Sequence, residues 1–394
     1  MTTRLTLRTV LSRWTVAVPV VAVIALVLSW GRKGLPGFAT ALVALCLAGA
    51  VLAAVHHAEV VAHRVGEPFG SLVLAVAVTL IEVALIVTLM IDGGAKSHSL
   101  ARDTVFAAVM ITTNGIVGVC LLIGALRRRV AVFSAEGAST ALATVGTLAT
   151  LGLVLPTFTT STPGPRFSGT QLTFAALTAL ALYGLFVSVQ TVRHREYFLP
   201  VDDAGRPRAD LRADGGEGHG PQKGHGAGAG EEDDGGERHV RPSGRAALLS
   251  LLLLLVALTA VVGDAKAVSP TIESGVESAG LPQAVVGVVI ALLVLLPETL
   301  AAVRAARRDH VQTSLNLAYG SAIASIGLTI PAIALATVWI KGPLVLGLSP
   351  THMVLLALTL IVSGLTVLPG RATLLQGGVH LVLCAAFVFL AVSP

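Results

Sequence analysis

The stretch VVIALLVLLPETLAAV, residues 288–303, is an apolar run holding a single carboxylate, Glu298, directly behind Pro297. A run of this length and composition reads as a membrane span, because roughly 20 apolar residues cross the hydrocarbon core of a bilayer. A second run of the same kind, LAVAVTLIEVALIVTLM at 74–90, carries Glu82 in its middle. Outward from these two, most of the chain repeats the pattern. Of its 394 residues 54% are hydrophobic and 12% charged, with mean hydropathy +0.83, whereas a soluble domain carries about 25% charged residues. The expected fold class is an all-α polytopic membrane protein with eleven transmembrane helices, near 14–31, 37–56, 68–91, 103–126, 138–158, 169–192, 246–264, 281–303, 311–338, 345–368 and 372–393.

One long polar segment divides the spans. Residues 193–245 include GGEGHGPQKGHGAGAGEEDDGGERHV (215–240), rich in Gly, acids and His. Such a composition buries too little apolar surface to offset the entropy of ordering, so a disordered acidic and His-containing linker is expected there. A solvated tether is the plainer role for it, and its acids and histidines show no EF-hand spacing. The basic clusters RRR at 127–129 and RAARR at 304–308 put those loops, the linker and the N-terminus in the cytoplasm and the C-terminus outside. The first apolar run is long for a signal peptide and its flank SWGRKGLPGF lacks a cleavage-site pattern, so it reads as a retained helix.

The composition also excludes function classes. The net charge of +5 comes from short loops between spans, which topology explains, so no nucleic-acid partner is expected. Cys46, Cys120 and Cys384 all lie in apolar runs and form no disulfide framework. No Walker loop, nucleophile elbow, HExxH or redox motif is present, so the chain is expected to be neither an ATP-driven pump nor an enzyme, and to hold no cofactor. The partners expected are the lipid bilayer and the transported ions.

Apart from an N-terminal helix within 1–36, five spans lie in 37–192 and five in 246–394. Two odd-numbered units joined by a cytoplasmic linker must be inverted relative to each other, a common transporter plan. RDTVFAAVMITTNGIVGVCL from Arg102 parallels RDHVQTSLNLAYGSAIASIG from Arg308, and each follows a span with one deep glutamate. Asn114-Gly115 then matches Gly320-Ser321.

A carboxylate at the bilayer centre costs about 2.5–3.5 kcal/mol on insertion scales, so a function is the default reading for Glu82 and Glu298. A protonated glutamate bonded to a neighbouring helix is the plainer one, and two at matching places weigh against it. Pro297 removes a backbone donor and loosens the helix beside Glu298. Calcium takes roughly six to eight oxygens, and the neighbouring donors are Thr79, Thr112, Thr113, Asn114, Asn316, Ser321 and Ser325. Paired carboxylates in low dielectric, without a cation, take up protons. The pair then holds cation or protons alternately, which under alternating access is antiport. A cation channel and a membrane scaffold built around the linker are the alternatives of other classes.

Further candidates lie outside these runs. The cluster HHAEVVAHRVGEP (56–68) reads either as the polar face of an interfacial helix or as a cytoplasmic entry for protons or cations, with Glu67 and His63 its candidate residues. His380, within the last span, reads as a hydrogen-bonded packing residue ahead of a ligand.

The runs VVAHRVGEPFGSLVLAVAVTLIEVALIVTLM (60–90) with RDTVFAAVMITTNGIVG (102–118), and 288–331, resemble the two repeats of bacterial ChaA-like calcium/proton antiporters. These belong to the cation/proton exchanger branch of the cation/calcium antiporter superfamily. The resemblance extends through the central loop to PGRATLLQGGVHLVL (369–383) and covers most of the chain from about residue 55. It implies ten core helices in two inverted five-helix repeats, one extra N-terminal helix, an inner-membrane location and an ion site between the repeats. It carries the acidic ligands onto Glu82 and Glu298 and the superfamily's Gly-Ser motif onto Asn316, Gly320 and Ser321. The first repeat departs from the pattern, with VTLIE where relatives have Gly-Asn-x-x-Glu. Fewer polar ligands leave sodium or potassium exchange for protons open beside calcium.

Overall fold

The computed structural model describes residues 2–32, 36–65, 69–92, 98–201, 244–339 and 342–394. Most of the expected linker, and Glu67 with it, lies outside the described residues, as does the side chain of His63.

The helices, in chain order, are α1 (Thr2–Ser29), α2 (Gly37–Val65), α3 (Phe69–Asp92), α4 (Leu100–Met110), α5 (Val117–Arg128), α6 (Ala135–Ala149), α7 (Gly169–Ser188), α8 (Gly244–Ser278), α9 (Ala284–Val294), α10 (Leu296–Arg307), α11 (Val311–Ala336), α12 (Pro350–Val367) and α13 (Leu374–Val392). Among the described residues eight helical stretches are long and apolar enough to cross a membrane, α9 and α10 form one further bent pair, and Trp14–Ser29 and Val76–Ile91 are shorter apolar helices. Local chemistry sets several starts. The Ser134 hydroxyl accepts from Gly137 N at the head of α6, Ser168 and Gln171 form a reciprocal cap on α7, and Ser349 precedes Pro350 at the first position of α12. Such caps satisfy backbone donors that have no partner within the helix.

Four differences from the sequence reading bear most on the architecture. The run 281–303 is two helices, bent by 53° at Leu295, because Pro297 has no N–H to donate and crowds the preceding turn. The expected span 246–264 continues as helix to Ser278, through Pro270. The expected span 103–126 is α4 and α5 joined by a π-helical turn, Ile111–Ile116. The fold is also not wholly helical: β1 (Val130–Val132) and β2 (Arg371–Thr373) pair antiparallel, Val130 opposite Thr373. Three residues a side leave no periodicity to read.

Two apolar bodies make up the interior. One joins α1, α2, α3, α8 and α9 through Ala22, Leu47, Ala50, Ile81, Leu85, Ala257, Val261 and Ile290. The other gathers α4–α7 and α11–α13 around Phe106, Leu148, Tyr319 and Phe387. Both turn large apolar side chains outward as well, such as Leu45 and Val382, as expected of helices that face lipid. Where α5 crosses α13 the backbones nearly touch: a Cβ added to Gly118 would lie 3.0 Å from His380 Cβ and 3.1 Å from the Gly377 carbonyl. Small residues at such crossings let membrane helices approach closely. Between the two bodies, α3 packs on α9 and α11, and α7 and α10 pack on α11.

Candidate functional site

The convergence of α3, α7, α11 and the α9–α10 break encloses a cavity of about 170 Å³. Its polar lining includes Thr79, Glu82, Gln190, Glu298, Asn316 and Ser325. Glu82 projects from mid-α3 and is buried. The Ser325 hydroxyl, from α11, donates to its Oε1 at 2.7 Å. Glu298 occupies the first turn of α10, just past the break. The break therefore gives this carboxylate a helix start, where unpaired backbone N–H groups and the helix dipole favour a negative group. Its Oε2 is buried with no hydrogen-bond partner among the described residues. A buried acceptor left open in this way is an unmet demand for a proton or a cation.

On α11 the residues Asn316, Leu317, Gly320, Ser321, Ala324 and Ser325 follow helical spacing and share the cavity face. Gly320 has open space where a Cβ would lie. Asn316 is held from two sides. Gln312 Nε2 donates to its Oδ1 at 2.9 Å, and its Nδ2 donates to the Phe198 carbonyl at 2.6 Å. Gln312 is fixed in turn, accepting from Ser134 N at 2.6 Å. Phe198, in the short helical turn Arg195–Phe198 at the start of the linker, sits edge-on to Phe186 of the cavity wall. The chain leading into the linker thus packs at the edge of the cavity.

Of the residues singled out from the sequence, Glu82, Glu298, Thr79, Asn316, Ser321 and Ser325 meet in this cavity. Thr113 and Asn114 do not line it. They lie in the π-helical turn between α4 and α5, where the extra residue per turn re-aims the side chains. The Thr113 hydroxyl donates to Val109 O, and that of Thr112 to Ala108 O. Asn114 Nδ2 donates to Thr359 Oγ1 of α12 at 3.0 Å. Its Oδ1 accepts from His380 Nδ1 of α13 at 3.1 Å, and His380 Nε2 pairs with Thr366 Oγ1 at 3.2 Å. Asn114, Thr359 and His380 are all 0% exposed, so this is a closed polar network tying α12 and α13 to the π-turn, with His380 a packing residue. Sequence reading missed Tyr183 and Gln190, both on the stretch running from α7, because neither is a carboxylate nor part of a repeated pattern.

Among the described residues no three His, Cys, Asp or Glu side chains converge as a metal cluster. The cavity offers two carboxylates and neutral oxygens, a set suited to an ion that is taken up and let go. A family model described as sodium/calcium exchanger protein matches residues 35–192 and 249–393. A protein of Sinorhizobium fredii (strain NBRC 101917 / NGR234), provisionally named an ionic transporter, y4hA, is 46% identical over 88% of this chain and 87% of its own length. The sodium-potassium/proton antiporter ChaA of Escherichia coli (strain K12) is 32% identical over 94% of this chain and 93% of its own. The solved structure of native YfkE shares the fold, with TM-score 0.64 at 14% identity over 97% of this chain and 99% of that one. The chain is a polytopic membrane protein and belongs to the sodium/calcium exchanger protein family.

Proposed function

We propose that this chain is a secondary antiporter that exchanges calcium for protons by alternating access, with Glu82 and Glu298 holding either the cation or protons. The observation that carries the reading is the single cavity in which both carboxylates meet the oxygens of Thr79, Asn316, Ser321 and Ser325. Two carboxylates neutralise a divalent ion, and hydroxyl, amide, carbonyl and water oxygens complete the roughly six to eight ligands calcium takes. With the cation gone, like charges sharing a low-dielectric cavity drive proton uptake. Either cargo neutralises the pair; neither does so well alongside the other, and that exclusion couples the two flows. Exchange of sodium or potassium for protons is the second reading, favoured by the name of the Escherichia coli relative.

The organisation that goes with this reading has eleven spans: the eight long helices, the bent pair as one, and the two shorter apolar helices. An N-terminal helix (1–36) precedes two inverted five-helix repeats (37–192 and 246–394), joined by a cytoplasmic linker (193–245). The N-terminus lies in the cytoplasm and the C-terminus outside a bacterial inner membrane. Supporting the repeat, each half sets its glutamate on the helix before one led by Arg-Asp, at Arg102–Asp103 and Arg308–Asp309.

Everted vesicles energised to an acid interior, with a pH-sensitive dye, test the proposal. Calcium addition restores the dye signal in the wild type and leaves it unchanged in Glu82→Gln and Glu298→Gln, both still inserted. Restoration by sodium or potassium alone replaces the cation in the reading, and normal exchange by Glu298→Gln removes the site.

A further inference from the structure

Asp264 is a buried carboxylate within a candidate span, on α8 and outside the Glu82–Glu298 cavity. It is 0% exposed, and neither of its oxygens has a hydrogen-bond partner among the described residues. Around it the buried face of α8 is Ala257, Ala260, Val261, Ala265 and Val268. This stripe packs on α2, which meets it with Leu47, Ala50, Val51 and Ala54.

An unpaired buried polar group gives up its hydration with nothing in exchange, and an unpaired buried charge gives up far more. As a packing group, then, Asp264 is inferior to the alanines beside it. We propose that Asp264 is a proton-binding site in its own right. It carries a proton while α8 lies closed on α2 and gives that proton to water when the contact between the two helices opens. The transfer is an ordinary ionisation: the carboxyl O–H bond breaks and the proton passes to water, and the hydrated carboxylate takes a proton back from water before α8 closes again.

The charged and titratable neighbours are few. On α2 they are Cys46, the one within electrostatic reach of Asp264, and His56, His57, Glu59 and Arg64 further along the helix, Arg64 beside Gly244 at the far end of α8. On α3 the described side chains offer Glu82, which belongs to the other cavity. The described part of α1 from Trp14 to Ser29 has no titratable side chain, nor has α9. On α8 itself Lys266 is exposed and lines an outer groove with Trp30 and Thr88. Within the contact, then, Asp264 has no basic hydrogen-bond partner among the described residues to hold it as a carboxylate.

The test counts protons. Purified wild-type protein, Asp264→Asn and Asp264→Glu in lipid vesicles are taken through an alkaline jump with a pH indicator, and exchange is followed over a pH series. The expected result is one proton fewer released per chain in Asp264→Asn, an exchange rate that loses one limb of its pH profile, and restoration of both by Asp264→Glu. The same difference of one proton persists when Asp264→Asn is made in a Glu82→Gln/Glu298→Gln background, so the outcome does not depend on the cavity reading. An equal proton count and an unchanged pH profile in Asp264→Asn overturn the proposal. So does an Asp264→Asn effect confined to thermal stability and not restored by Asp264→Glu, which marks a packing residue.

Discussion

Ser325→Ala removes one hydroxyl and, with it, the 2.7 Å hydrogen bond to Glu82 Oε1. Both partners are buried, so bulk water does not make good the lost donor. A hydrogen bond to a charged group is worth about 1.5–3 kcal/mol. Because the hydroxyl is oriented toward the carboxylate, its loss falls mainly on the ionised form, the form that binds cation. The half-saturating cation concentration should therefore rise roughly tenfold to a hundredfold, taking about 1.4 kcal/mol per factor of ten. The sign with pH follows from competition. Protons gain on the cation in the variant, so the loss is largest on the acid side and shrinks as pH rises. Ser325→Thr keeps the donor and should stay within a few-fold of wild type. The assay is dye recovery in everted vesicles against cation concentration at several pH values. If Ser325→Ala has the wild-type half-saturation throughout, Glu82 is not an ion ligand in the state described.

Other outcomes follow from the same geometry. Pro297→Ala returns a backbone donor at the bend and should slow exchange without loss of thermal stability; an unchanged rate would mean that the 53° break is incidental. Gly118→Leu drives a side chain into His380 and the Gly377 carbonyl, and the melting of detergent-solubilised protein should show a loss of about 1–3 kcal/mol. His380→Leu strands Asn114 Oδ1 in a closed site and should cost about 1–3 kcal/mol by the same measurement, with the cation half-saturation unmoved. Asp309→Asn removes the ion pair with the half-exposed Arg128; a partly solvated pair contributes about 1 kcal/mol or less, and Asn tolerates the positive φ of 67° at that position.

Much of the cavity was legible because a carboxylate in an apolar run stands out on its own. Glu82 and Glu298 needed no partner to be noticed, and Asn316, Ser321 and Ser325 follow on one face of a regular helix. The same reasoning failed for Thr113 and Asn114. They enter through the parallel between the two Arg-Asp segments, and the π-turn at Ile111–Ile116 re-aims their side chains with no residue type that signals it. Asp264 escaped notice for a different reason. It stands at the polar end of a leucine-rich run and reads as the boundary of a span, whereas the helix continues to Ser278 and buries it. Pro297 did mark the break within 288–303, but a proline in sequence gives neither the angle nor the residue at which the helix divides.

The amide of Asn316 is already spoken for. Its oxygen holds Gln312, which holds Ser134, and its nitrogen holds the carbonyl of Phe198 on the way to the linker. That oxygen keeps a second lone pair, so an ion that used it would share the atom with Gln312. Ion occupancy at the heart of the bundle and the seating of the chain at its edge would thus meet on one amide, and a disturbance at either end would register as a change in affinity at the other.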